Sequence, residues 1–308
     1  MKHKQANTRN SNDFLSIKKH SNPSLFLRKM LETEKYISII GAHSGISAKI
    51  AEESGFDGVW ASSFEISTSF CVPDANVLSF KESYEVVKAM KDATNIPIIV
   101  DCDTGYGNAM NMIRTVEEYE RLGAAGICVE DNLFPKRCSF YDSKARAIED
   151  IDIFSKKIRA AKDAQTSKDF FVIARTEAFI VGLDLNAALT RAHAYEDAGA
   201  DAILIHSKSQ DHKQVETFAR NWNSKTPLVV VPTKFPNVSA SELADMGFKI
   251  IIFANHAMRA SIKAMQTALT RLRLSGIQTD ILGDIVPLSE IYRLIGLDNF
   301  NEKEKKYL

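Results

Sequence analysis

Residues 119–131 read YERLGAAGICVED, and this stretch decides the fold. A helix-like segment runs into Gly123, which stands where a helix C-terminus needs a residue tolerant of the left-handed conformation. A short apolar run follows and ends on acids. The same arrangement recurs at 51–63 (AEESGFDGVWASS), 195–207 (YEDAGADAILIHS) and 243–255 (LADMGFKIIIFAN), with Gly55, Gly199 and Gly247 in the equivalent place. Each glycine stops a helix and launches a buried strand.

Four further apolar runs have strand length: Tyr36 to Gly41, Ile96 to Val100, Phe170 to Ala174 and Pro227 to Val231. That makes eight strands. Helical periodicity fills the spaces between them, at Lys81 to Asp92, Met112 to Leu122, Ile151 to Ala164 and Leu185 to Ala198. Eight alternating units predict an α/β fold closed as a (β/α)8 TIM-type barrel. A doubly wound open sheet is the alternative, although no GxGxxG follows the first strand. Beyond the eighth strand, Ala257 to Leu274 and Asp284 to Ile295 read as two amphipathic helices, either docking on another subunit or forming a plain C-terminal appendage. The domain reading is a flexible tail over 1–24 and a single barrel domain over 25–308 with a C-terminal helical extension.

Composition narrows the function. Of 308 residues, 45% are hydrophobic and 25% charged, enough apolar content for a large core. Thirty-nine basic residues balance 39 acidic ones with no basic stripe, which argues against nucleic acid and membrane surfaces and for a small-molecule partner. No apolar run approaches the roughly 18 residues of a membrane span. The polar, basic N-terminus lacks the apolar stretch of a secretory signal and reads as a frayed tail or a transit peptide. Cys71, Cys102, Cys128 and Cys138 have neither CxxC spacing nor disulfide-scaffold density, so the expected compartment is the reducing cytoplasm.

Barrel active sites lie at the C-terminal strand ends. Here those ends are rich in polar groups: Trp60, Ser62 and Ser63; Asp101 and Asp103; Glu130 and Asp131; Arg175 and Glu177; His206 and Ser207; Asn255 and His256. Asp101, Asp103 and Glu130 would repel one another without a cation, and hard oxygen donors suit Mg2+ or Mn2+. The plainer reading makes them helix caps and solvated loop acids. Arg175, behind the buried run FFVIA, needs an anion: either Glu177 in a structural ion pair, or a substrate oxyanion with Glu177 holding the guanidinium. His206, one strand on, is either a satisfied core histidine or a second donor to the same anion.

With strand ends VWASS, DCDTGYGN, VEDNLFPK, IARTEAF, ILIHSK and FANH, the chain resembles the isocitrate lyase and phosphoenolpyruvate mutase superfamily from about Leu25 onward. It looks most like members that make or break carbon–phosphorus bonds in phosphonate metabolism, phosphoenolpyruvate mutase and phosphonopyruvate hydrolase. The resemblance implies a last barrel helix exchanged between subunits, giving homodimers that pair into homotetramers. It implies that Asp101 ligates Mg2+, with Asp103 and Glu130 acting through metal-bound water. A pyruvyl group would meet Trp60 and the backbone amides near Ser62, Ser63 and Phe64. Arg175 and His206 would bind anionic oxygens, and Asp74, in VPDAN, would lie near the migrating phosphoryl group.

The loop EDNLFPKRCS, 130–139, departs from that pattern. Mutases typically carry Lys where Asn132 stands and Asn where Cys138 stands; the hydrolase has Thr at the latter. Cys138 in KRC resembles the general-acid cysteine of the carbon–carbon lyases, yet Ser139 and Phe140 replace the Gly-His of those enzymes. Lys136 and Arg137 would lower the pKa of an adjacent thiol; the alternative is an inert cysteine filling the space of Asn or Thr. The leading reading is interconversion of phosphoenolpyruvate and 3-phosphonopyruvate. Its alternatives are hydrolysis of phosphonopyruvate to pyruvate and phosphate, lyase cleavage of a 2-hydroxy di- or tricarboxylate with Cys138 as general acid, and a non-catalytic ligand-binding barrel.

Overall fold

The computed structural model describes residues 22–139 and 147–308. Eight parallel strands close a barrel in sequence order: β1 Ile37–Ala42, β2 Gly58–Ala61, β3 Ile98–Asp101, β4 Gly126–Glu130, β5 Phe171–Thr176, β6 Ala202–Ile205, β7 Leu228–Val230 and β8 Phe248–Phe253. All eight expected runs are strands. Gly55, Gly123, Gly199 and Gly247 have φ of 85°, 89°, 103° and 109°, the left-handed region that explains glycine at the start of each motif. Gly126 has a different reason. A Cβ there would lie 2.2 Å from the Phe171 carbonyl oxygen across the β4–β5 ladder, so β4 can only pair with β5 if this side chain is absent.

Alternation along the strands builds two apolar layers. Ile39, Trp60, Ile99, Cys128, Ile173, Leu204, Val229 and Ile250 point into the barrel and pack on one another. Val59, Ile98, Val100, Ile127, Val129, Val172, Ile203, Val230 and Ile251 point outward against the helices. Those helices are α1 Pro23–Thr33, α2 Gly45–Glu53, α3 Ser63–Ser69, α4 Phe80–Ala93, α5 Ala109–Leu122, α6 Ile151–Ala164, α7 Leu185–Asp197, α8 Lys213–Asn221 and α9 Ala240–Asp245. The first, α1, has Pro23 at its first position and Asn22 as its cap. It sends Phe26, Leu27 and Met30 into the interior layer, beside Ile37, Phe171 and Ala202 at the starts of their strands. Residues 22–24, read from the sequence as the end of the tail, are the cap and first residues of this helix, and residues 1–21 lie outside the described ones.

The chain divides into two compact units, Met1–Ala254 and Asn255–Leu308. The second contains α10 His256–Ser275, a 3-10 turn Gln278–Ile281, α11 Leu288–Ile295 and α12 Leu297–Tyr307. The helix expected from Asp284 starts four residues later because Pro287, extended at φ −68° and ψ 156°, takes the cap position. No described helix is long and apolar enough to cross a membrane.

Candidate active site

The inward face of each strand continues past its last apolar residue, and the parity that buries the core also aims the polar ends. Asp101 follows inward Ile99, Glu130 follows Cys128, Arg175 follows Ile173, and His206 follows Leu204. Strand register completes the placement: Glu130 pairs with Arg175 across β4–β5, and Asp101 with Cys128 across β3–β4. Trp60, Ser62, Ser63, Asp74, Asp101, Asp103, Glu130, Arg175 and His206 are all buried, and Phe64 is half-buried.

Arg175 meets Glu177, as expected. Its Nε donates to Glu177 Oε1 at 2.8 Å and forms an ion pair with Glu130 Oε2 at 3.2 Å. Burial alone would raise the Glu177 carboxyl; Arg175 and His206 outweigh it and hold the group well below its ordinary range. His206 Nδ1 lies 2.9 Å from Glu177 Oε1 and 2.8 Å from Arg175 Nη2. Burial and the Arg175 charge depress the basicity of this imidazole, so it is neutral at neutral pH. A neutral Nδ1 either donates to Glu177 or accepts from Arg175, according to the tautomer.

Behind this group stands Asp131, whose role the sequence left unread. Its carboxylate accepts from the Glu177 backbone N–H, the Thr176 hydroxyl and the Tyr195 hydroxyl at 2.7 to 2.9 Å, and from Arg191 at 3.2 Å. Asp131 therefore fixes the backbone from which Glu177 projects.

The acids are bridged by a residue that the sequence had named only as a neighbour of Cys138. Lys136, 4% exposed, places its ammonium 2.5 Å from Asp103 Oδ1 and 2.9 Å from Asp74 Oδ1, and donates to Ser63 Oγ at 3.1 Å. Burial opposes a charge on Lys136; Asp103, Asp74, Glu130 and Asp101 prevail and raise its pKa. The lysine expected to activate Cys138 is thus committed to carboxylates. The Cys138 side chain is buried, and its backbone N–H donates to the Asp74 carbonyl at 3.1 Å. Ser63 Oγ donates to Asp101 Oδ2 at 2.9 Å, and Ser62 Oγ caps α3 by accepting from the Glu65 N–H.

Asn76 was also unread, and Asn132, marked in the sequence only as a departure from the mutase loop, has a partner in the site. Asn76, at φ 54°, donates to Asp103 Oδ2 and accepts from the Lys136 backbone N–H; Asn132 donates to Glu130 Oε1 at 2.8 Å. Asparagine's tolerance of the left-handed region was the available signal for Asn76.

This donor set fits a hard divalent cation. Burial pushes the Asp103 carboxyl up to about 7; Lys136 works against that, while Asp74, Asp101 and Glu130 add to it. Four carboxylates, Asp74, Asp101, Asp103 and Glu130, stand beside two cations, Lys136 and Arg175, and the donors are all oxygen. Among the described residues, however, no three His, Cys, Asp or Glu side chains converge as a direct ligand set. An ion here suits few direct carboxylate ligands and several waters, the habit of Mg2+.

Inward-facing acids, a buried Arg–Glu–His group and a lysine carried in by a loop, all at the C-terminal strand ends, define a (β/α)8-barrel enzyme. The chain belongs to the phosphoenolpyruvate phosphomutase family, whose profile matches residues 27–273. It is 41% identical over 282 residues to phosphoenolpyruvate phosphomutase of Tetrahymena pyriformis, covering 92% of this chain and 94% of that protein. The crystal structure of phosphoenolpyruvate phosphomutase from Streptomyces platensis subsp. rosaceus superposes with a TM-score of 0.91 at 42% identity, over 92% of this chain and 99% of that one. A phosphonopyruvate hydrolase structure with oxalate and Mg2+ gives 0.88 at 38% identity, over 93% and 99%. The superfamily resemblance and the barrel read from the sequence are borne out.

Proposed function

We propose that this enzyme interconverts phosphoenolpyruvate and 3-phosphonopyruvate. The observation that carries the reading is a pair of buried cationic positions, Arg175 and Lys136, on either side of the acids. In the forward step the phosphorus–oxygen bond breaks and its electron pair stays on the enolate oxygen. The phosphoryl group is then held as a metaphosphate-like species until the enolate carbon attacks phosphorus. Arg175 and His206 hold its anionic oxygens, with Glu177 fixing both. Lys136 balances charge beside Asp74, and the buried loop residues keep water from capturing the group.

Trp60 and the amides near Ser62, Ser63 and Phe64 receive the pyruvyl part. Asp101 would hold Mg2+ directly, with Asp103 and Glu130 acting through its waters; when bound, the ion supplies charge stabilisation for the enolate. Mn2+ has the same donor preferences. The enzyme works in a reducing cytoplasm, with Cys71, Cys102, Cys128 and Cys138 as thiols. A second copy of the chain covers the apolar face of the C-terminal unit, making a homodimer or homotetramer.

Phosphorus NMR with Mg2+ and phosphonopyruvate tests the reading. Phosphoenolpyruvate as product supports it; inorganic phosphate points to hydrolysis, which the 38% identity to the hydrolase keeps in view. Neither phosphorus route needs a thiol proton donor, so Cys138→Ser should keep at least about a third of the activity. Loss of about 100-fold or more, the usual benefit of a general acid, together with cleavage of a 2-hydroxy dicarboxylate by the wild type, would establish the lyase reading instead.

A further inference from the structure

Glu177 serves two sides of the site with its two oxygens. Oε1 is engaged with Arg175 and lies beside His206 on the barrel wall. Oε2 accepts a 2.5 Å hydrogen bond from the hydroxyl of Ser139, a residue of the loop. The same hydroxyl accepts from Arg175 Nη2 at 2.8 Å, and Ser139 is 5% exposed. Ser139 stands three residues after Lys136, which grips Asp74 and Asp103 on the opposite side of the site. One short segment therefore touches the acids at one end and the anion-binding pair at the other.

We infer that Ser139 is a positioning residue whose hydroxyl couples docking of this loop segment to the orientation of the Arg175 guanidinium through Glu177. The inference rests on the phosphoryl-transfer reading for its kinetic consequence and on geometry alone for its mechanical one. With the hydroxyl in place, Nη2 has a second oxygen acceptor beside Glu177 Oε1, 2.7 Å away, and Glu177 is held from both sides. Without it, Glu177 Oε2 loses one donor, Nη2 loses one acceptor, and the guanidinium is freer to turn toward Glu130, its other carboxylate neighbour at 3.2 Å. Substrate can still meet Arg175 and bind. The aligned donor that matters most as charge moves to the phosphoryl oxygens is what is lost.

Ser139→Ala and Ser139→Thr in the full chain separate this role from a packing role. In Ser139→Ala, kcat for phosphonopyruvate with Mg2+ should fall about tenfold or more while KM stays within about threefold. Ser139→Thr, which keeps the hydroxyl, should recover kcat to within about threefold of wild type. Tryptic cleavage after Arg137, in Mg2+ and inorganic phosphate, should be at least about fivefold faster in Ser139→Ala than in wild type and normal in Ser139→Thr. Unchanged kcat in Ser139→Ala, loss not rescued by Thr, or an unchanged cleavage rate would each overturn the inference. If the wild type turns over neither phosphonopyruvate nor phosphoenolpyruvate, the functional reading has failed, and the cleavage rates still decide whether Ser139 docks the loop.

Discussion

The barrel unit and the C-terminal unit share the same amphipathic grammar and fare differently. In the barrel, strand alternation and helix faces close on one another: Ile99 meets the interior layer, Val100 the outer layer, and both are buried. In the C-terminal unit, Leu269, Leu274, Leu288, Ile295 and Phe300 are exposed, Leu274 to 82%, while Met258, Ala268 and Ile281 are its buried apolar residues. Local pattern decides that a helix has an apolar face. Burial of the face depends on a partner, which the barrel supplies from its own chain.

The comparison breaks most severely at Gly126. Gly126→Val should cost about 4 kcal/mol or more, or prevent folding outright, because backbone rather than a movable side chain blocks the new carbon. Urea denaturation of soluble protein, or its absence, measures this. Pairing of β4 with β5 is then shown to require the absence of a side chain at Gly126.

Arg175→Ala should come next, with kcat/KM falling by about 100-fold or more, on the order of 3 kcal/mol, as the anion loses a charge-assisted donor in a buried site. A loss below tenfold with normal circular dichroism would mark Arg175 as structural, leaving the barrel's polar mouth as passive as its core.

The C-terminal unit sharpens the contrast from the other side. Leu288→Asp combined with Ile295→Asp should shift the protein toward monomer in light scattering with the barrel's near-UV spectrum intact. An unchanged mass would mean that this face is exposed in solution too.

The smallest effect concerns pH. Burial and Arg175 lower the pKa of His206 from its ordinary 6.5, so the folded chain takes up this proton less readily than the unfolded one. Stability from this group is complete above pH 6.5 and declines as pH falls below it. Glu177, also held low, contributes in the same direction at more acid pH, below its ordinary 4.5. His206→Gln should flatten the decline in thermal midpoint between pH 7 and pH 5. An equal decline in wild type and variant would show that other groups govern it.

What the sequence determined by itself was everything that depends on short-range periodicity. A glycine with positive φ before four of the strands, four further apolar runs of strand length, and a two-residue repeat within all eight place the barrel and aim Asp101, Glu130, Arg175 and His206 inward. The Arg175–Glu177 pair was legible for the same reason, two residues apart on one strand end. Lys136, Ser139 and Asn76 were not legible as parts of the site, because a loop has no period from which to extrapolate. Their destinations were decided only by tertiary structure, where long-range ion pairs and hydrogen bonds to Asp74, Asp103 and Glu177 compensate the burial of polar groups that the local sequence would leave in water.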